Sequence, residues 1–288
     1  IAQLHHELRD APYQANRVLA ILSKLFNLCE VWGLRQDGSN PCRHVAKYRE
    51  QKRERYLSGD ELRRLGEVLR EIEREEGPAY RKRDQALGAA PAASTLQNGP
   101  GETATLTLCR AEPQSPTLGN GHVDNGAPYP VPYITCIRLL ILTGCRLSEI
   151  QTLQWSHVNG NVLDLPDSKT GAKRVYLGRA AVDVLTRAPR LPGNLYVITG
   201  KNEGEHLTDM QRPWRRVRKR ADLDDVRLHD LRHSYASGAV GMGESLPMIG
   251  KLLGHTQVQT TARYAHLADD PVRASADRVS AELAKALG

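Results

Sequence analysis

The chain has 288 residues, 40% hydrophobic content, a formal net charge of +7 and a pI near 9.2. That length suits one large domain or two modest ones, and the basic balance favours a polyanionic partner. The longest clean apolar run is "LLIL" at 139–142 and no stretch has the form of a signal peptide, so nucleic acid is favoured over a membrane surface.

The five cysteines, Cys29, Cys42, Cys109, Cys136 and Cys145, form no C-x-x-C pair. This argues against a zinc site or a disulfide framework and for a reducing, cytosolic setting. The chain begins at Ile1, from which we expect a fragment without its natural N-terminus.

In chain order, Tyr13 to Val31 reads as an amphipathic helix, with Val18, Leu22, Leu25, Phe26 and Cys29 at helical spacing. "GSNPC" at 38–42 is a turn, because Pro41 biases Asn40 away from helix. The charge-dense stretch Lys47 to Arg55 reads as a linker, with a strap along DNA phosphates as the alternative. Ser58 and Glu61 have capping-box spacing and start a helix expected to stop at Gly77-Pro78. Residues 78–132 hold eight of the chain's 16 prolines and few large apolar residues. The expectation is a long, mostly disordered insertion, since so polar a stretch cannot offset the entropy of ordering it.

A hydrophobic helix resumes over Tyr133 to Thr143. Residues 159–178 predict two short strands joined by "SKTGAK". Helices follow at about 180–188, 208–221, 229–240 and 245–253, and one more after 256 carries Tyr264. From Pro271 onward, Val272, Ala276, Val279, Leu283 and Leu287 share one helical stripe. The predicted fold is mainly α with a small antiparallel β-sheet.

Three short patterns could carry chemistry. In "TGCRLSEI" at 143–150, Gly144 ends one helix and Arg146 opens the next, where Ser148 and Gln151 have capping-box spacing. A cation at a helix start is unfavourable, yet suits a group that must reach an anion faced by the same backbone amides. In "LHDLRHSYAS" at 228–237, His229 and Arg232 share a helical face. In "LLGHTQVQTTARYAHL", Gly254 presents His255, and Tyr264 stands among Thr260, Thr261, Arg263 and His266. A core tyrosine usually sits among apolar neighbours, so this setting leaves open whether Tyr264 is packing or chemistry. Guanidinium groups match phosphate oxygens, and a tyrosine beside a phosphodiester can act as a nucleophile if a base or strong positive charge assists it. His233 and His266 receive no role, and Trp214 reads as a packed aromatic. Around it, Arg215, Arg216, Arg218, Lys219 and Arg220 face either DNA backbone or solvent.

With "SKTG" added, the patterns in this order resemble the tyrosine recombinase (phage integrase) family across the whole catalytic domain. The resemblance implies an integrase-like catalytic domain over 56–288, with the insertion at about 78–132. Residues 1–55 would be the C-terminal part of a helical core-binding domain that clamps DNA, plus a linker. It implies that Tyr264 attacks the scissile phosphate to give a 3′-phosphotyrosine and a free 5′-hydroxyl. Arg146 and Arg232 would hold the non-bridging oxygens, and Lys169 would protonate the leaving oxygen. His229 would help move the tyrosine's proton, His255 would hydrogen-bond the phosphate, and Glu149 would support the site. No metal or cofactor is implied. The implied partners are double-stranded DNA, a homo-tetramer assembled through the C-terminal helix, and accessory DNA-bending proteins, in a nucleoid-associated cytoplasmic setting. Two alternatives stay open: a type IB topoisomerase-like nicking-closing enzyme, and an inactive or regulatory DNA-binding relative.

Overall fold

The computed structural model describes residues 1–50, 54–88, 128–168, 171–255, 257–267 and 269–287. The chain divides into two units, Ile1–Glu54 and Arg55–Gly288.

The first unit holds α1 (Ala2–Glu7) and α2 (Pro12–Val31). Pro12 opens α2, where its missing N–H is one of the donors a helix start leaves unpaired. Buried Asn16 on α2 holds the returning chain from both sides: it donates to the Tyr48 carbonyl at 2.8 Å and accepts from the Tyr48 amide at 2.9 Å. Tyr48 stacks on His5 with centroids 4.4 Å apart. The start of the presumed linker, residues 47–50, is thus tied to this unit.

The second unit opens with α3 (Gly59–Ala86), and its first turn carries the expected capping box between Ser58 and Glu61. The helix does not stop at Gly77-Pro78; Pro78 lies inside it. A mid-helix proline costs about 3 kcal/mol, so tertiary contacts hold the last turns. Gly77 lets the Tyr129 backbone approach so closely that a Cβ would lie 2.8 Å from its carbonyl oxygen. Asp84, fully buried, accepts from the Tyr129 hydroxyl at 2.9 Å and from Arg83 at 2.6 Å. The segment expected as an insertion is therefore helical up to Ala86 and again from Pro132, and residues 89–127 within it lie outside the described residues.

Next come α4 (Pro132–Thr143) and α5 (Leu147–Gln151). Helix α4 is the centre of the core: Ile134, Cys136, Ile137, Leu139 and Leu140 are all essentially inaccessible, and each large apolar side chain so buried contributes about 1.5–3 kcal/mol. The sheet has three strands where two were expected: β1 (Val158–Asn159), β2 (Val162–Leu165) and β3 (Lys173–Tyr176), antiparallel in that order. Gly160, at φ 60°, makes the tight β1–β2 turn. Leu163 pairs with Val175 and Leu165 with Lys173, so these four share the inward face of the β2–β3 ladder.

The remaining helices are α6 (Arg179–Arg187), α7 (Gln211–Arg220), α8 (Leu228–Gly241), α9 (Leu246–Leu253), α10 (Val258–Ala262) and α11 (Asp269–Leu287). Helix α4 packs on α6 and α8, α3 on α7, and α9 on α8 and α10. Trp214 of α7 is buried and donates to the Val226 carbonyl at 3.0 Å. No described helix is long and apolar enough to cross a membrane.

Candidate active site

Two glycine-capped helix ends build the site. Gly144 ends α4 at φ 64° and Gly254 ends α9 at φ 67°, both left-handed. Neither position has room for a side chain: a Cβ would lie 2.5 Å from Tyr235 Cδ1 at Gly144, and 2.8 Å from Lys173 Cδ at Gly254. Arg232, only 4% exposed on α8, donates through Nη1 to the Gly144 carbonyl and through Nη2 to the Leu253 carbonyl at 2.8 Å. A buried guanidinium is thereby held between two helix C-termini, whose partial negative charge favours it.

Arg146 follows the α4 cap after Cys145, as the N-cap of α5. The capping partner is Glu149, not the Ser148–Gln151 pair suggested by the sequence. Glu149 Oε2 accepts from the Arg146 amide at 2.8 Å, and Oε1 accepts from Arg146 Nη1 at 2.8 Å. Glu149 Oε2 also accepts from Lys173 Nζ at 2.7 Å. One buried carboxylate thus answers the problem of a cation at a helix start and fixes the β3 lysine beside it. Burial pushes the Glu149 pKa up, but the bonds from Lys173 and Arg146 win, and the carboxyl stays below its usual range.

His255 leaves the α9 cap with its amide bonded to the Gly250 carbonyl at 2.9 Å. Its Nδ1 lies 2.8 Å from Thr261 Oγ1, which orients the ring. Burial, followed by the charges of Arg232, Arg146, Lys173 and Arg263, lowers its pKa to about 4. The same arginines depress His229, after desolvation as the first cause. Arg146 and Arg232 thus act electrostatically on both His229 and His255.

Tyr264 follows α10 in a turn and is not carried by a helix. Its sequence neighbours are polar, but the ring is buried with Ala236, Ala239, Val240, Ile249 and Leu253 and is only 5% exposed. Packing and chemistry therefore divide within the side chain: the ring is core, and the hydroxyl reaches His233 Nδ1 at 2.6 Å. Burial raises the phenol's pKa, while Arg263 and Arg232 pull against it.

His233 and Lys173 were missed in the sequence, though both left a signal. His233 is one turn after His229 on the same helical face, and the rings meet edge-on at 4.8 Å. Strand alternation puts Lys173 on the face of buried Val175. Lys169 lies outside the described residues. On α7, Arg215 and Lys219 are exposed. Arg216 pairs with Glu76 at 2.6 Å and donates to the Tyr133 hydroxyl, Arg218 donates to the Val226 carbonyl, and Arg220 binds Glu71 and Glu75.

Comparison with known proteins gives the same direction. The sequence model of the Phage integrase family matches residues 120–270. The tyrosine recombinase XerA of Saccharolobus solfataricus is 29% identical over 144 residues, 48% of this chain and 46% of that protein. The shufflon-specific DNA recombinase of Escherichia coli is 32% identical over 45% of this chain and 33% of its own length. XerD of Corynebacterium glutamicum is 31% identical over 53% of this chain and 54% of its own. The chain thus spans about half the length, or less, of these curated relatives. Two solved structures share the fold: the Tn1549 transposon integrase in complex with a circular intermediate DNA, and a lambda integrase dimer bound to a core site. The first has TM-score 0.60 and 14% identity, covering 96% of this chain and 84% of that one. The second has TM-score 0.58 and 16% identity, covering 93% and 78%. With over half its length matched, this chain belongs to the phage integrase family of tyrosine recombinases.

Proposed function

We propose that this chain cleaves and rejoins DNA at a specific site through a 3′-phosphotyrosine on Tyr264. The reading is supported most by the Tyr264 hydroxyl, which lies 2.6 Å from His233 Nδ1 and feels the charge of buried Arg232, the same guanidinium that acts with Arg146 on His255. Phosphoryl transfer needs positioning and neutralisation of developing charge, and two fixed guanidinium groups supply both. Glu149 acts as a support that aligns Arg146. Lys169 is the proposed acid for the leaving 5′-oxygen. The phosphotyrosine conserves the energy of the broken bond, so rejoining requires no ATP.

Exposed Arg215 and Lys219 are the α7 groups proposed to contact DNA phosphates, with Arg216 and Arg218 secondary because they already bind their own chain. The C-terminal helix is proposed to dock on a neighbouring protomer in a DNA-bound tetramer. Its Val272, Val279, Leu283 and Leu287 are 59–88% exposed, as an unpartnered apolar stripe would be. A lambda integrase tetramer bound to a Holliday junction is among the fold relatives, at TM-score 0.55. A phage or mobile element is the proposed origin.

The test is covalent trapping. Sheared genomic DNA is incubated with wild type and with Tyr264→Phe, denatured with detergent, and the protein-linked DNA is sequenced. Wild-type adducts enriched at one inverted-repeat sequence, and absent from the variant, support the reading. Adducts without sequence preference favour a topoisomerase-like enzyme, and DNA binding without adducts contradicts catalysis.

A further inference from the structure

The only described hydrogen-bond partner of the Tyr264 hydroxyl is His233 Nδ1, at 2.6 Å. The resemblance assigns proton movement to His229, one turn earlier, whose described ring contact is with His233. We propose that His233 is the catalytic base that takes the phenolic proton of Tyr264 as its oxygen attacks phosphorus, a proposal resting on the nucleophile assigned above.

The position is rigid. Asp230 caps the start of α8 by accepting from the Arg227 amide at 2.8 Å, and Ser234 Oγ donates to the Asp230 carbonyl at 2.8 Å. Arg232, directly before His233, is locked to the ends of α4 and α9. His229 packs edge-on against the ring and limits its rotation. A base held this way keeps its lone pair on the hydroxyl without spending entropy in each turnover.

The charges facing His233 couple its basicity to substrate. Burial comes first in lowering its pKa, to about 4, followed by Arg263, then His229; Asp230 opposes them and Arg232 adds to them. The imidazole is therefore neutral at neutral pH, with a lone pair available to accept. A phosphodiester held by Arg146 and Arg232, as proposed above, brings negative charge that offsets the repulsion from Arg232 and Arg263, so the base strengthens when substrate arrives. In the step, the Tyr264 O–H proton passes to His233 Nδ1 and the phenolic oxygen forms the new bond to phosphorus. The bond from phosphorus to the 5′-oxygen breaks, its electron pair leaves on that oxygen, and the oxygen takes a proton from the ammonium acid. Rejoining runs the same transfers in reverse, with His233 returning its proton to the departing phenolate.

The test uses the full chain and the duplex recovered by trapping, once with its natural phosphodiester and once with a 5′-bridging phosphorothiolate, whose thiolate leaves without a proton. His233→Asn sets an amide oxygen near the place of Nδ1, so it can accept the hydrogen bond but cannot carry the proton. We expect adduct formation to slow about 100-fold or more on both duplexes, with DNA binding unchanged and a rate that climbs with pH where wild type levels off. Rates within about three-fold of wild type on both duplexes would overturn the proposal. Slowing on the natural duplex alone would also overturn it, because the defect would then lie in leaving-group protonation. Absence of wild-type adducts would remove the parent reading and this one with it, an outcome distinct from intact wild-type adducts with an unaffected variant.

Discussion

Replacing Glu149 by Gln keeps the size of the side chain and removes its charge. Glu149 is 2% exposed and Lys173 is 9% exposed at the side chain, with 2.7 Å between them. The substitution leaves the Lys173 ammonium buried without its counter-charge and weakens the hold on Arg146. Breaking a buried pair by removing one partner costs about 3–5 kcal/mol. For a unit of this size that corresponds to a fall of roughly 10 °C in Tm. The assay is thermal and urea unfolding of wild type, Glu149→Gln, Lys173→Met and the double variant. Because the loss comes from a stranded cation, the double variant should be more stable than the sum of the single losses predicts, by at least about 1 kcal/mol. The pH dependence follows the same pair. The Glu149 pKa is depressed in the folded state, so its contribution is full above the usual carboxylate value and is lost as pH falls through the folded value. Glu149→Gln should flatten that acid limb. A loss below about 1 kcal/mol, or additive single losses, would mean that Lys173 is not left stranded when Glu149 loses its charge.

Other expectations follow from the same geometry. Gly144→Ala meets both a left-handed backbone and the Tyr235 ring, and should cost about 2–4 kcal/mol in urea unfolding; a loss under about 1 kcal/mol would contradict that packing. His233 and His255 both have folded pKa values of about 4 against an unfolded value of 6.5. The unfolded chain therefore binds more protons between those values, and stability should drop as pH falls from 6.5 towards 4. His255→Asn should remove about one proton from that slope, and an unchanged slope would refute the assignment. Truncation after Asp270 should reduce the size of the DNA-bound assembly measured by analytical ultracentrifugation, and an unchanged assembly would exclude trans docking by α11.

Much of the fold was legible because local signals and packing agreed. Ser58 with Glu61 placed the start of α3, and the Val18–Cys29 stripe placed the span of α2 though not its buried face, which is Ala15, Asn16 and Leu19. Where they disagreed, tertiary contact won. Pro78 is a stop signal that the Tyr129–Asp84–Arg83 cluster overrides, and Tyr129, which closes that cluster, lies far from Pro78 in the sequence. The site was legible as motif residues but not as a set of bonds. Arg232 was visible in H-x-x-R, but its anchoring to Gly144 and Leu253 depends on two distant helix ends. Glu149 was read as a support, while its link to Lys173 crosses 24 residues. The polar neighbours of Tyr264 concealed a ring that packs in an apolar cluster. His233 looked idle because H-x-x-R assigned the work to its neighbour; only the fold brings residue 264 to it.

The proposed nucleophile is tested by locating the covalent bond. Trapped complexes would be digested with nuclease and trypsin, and the peptide that begins after Arg263 analysed by mass spectrometry. The expected result is a nucleotide on Tyr264, with cleaved DNA whose free 5′-hydroxyl ends accept label from polynucleotide kinase without prior phosphatase. A nucleotide on any other residue, or cleaved DNA ending in 5′-phosphate, would contradict it.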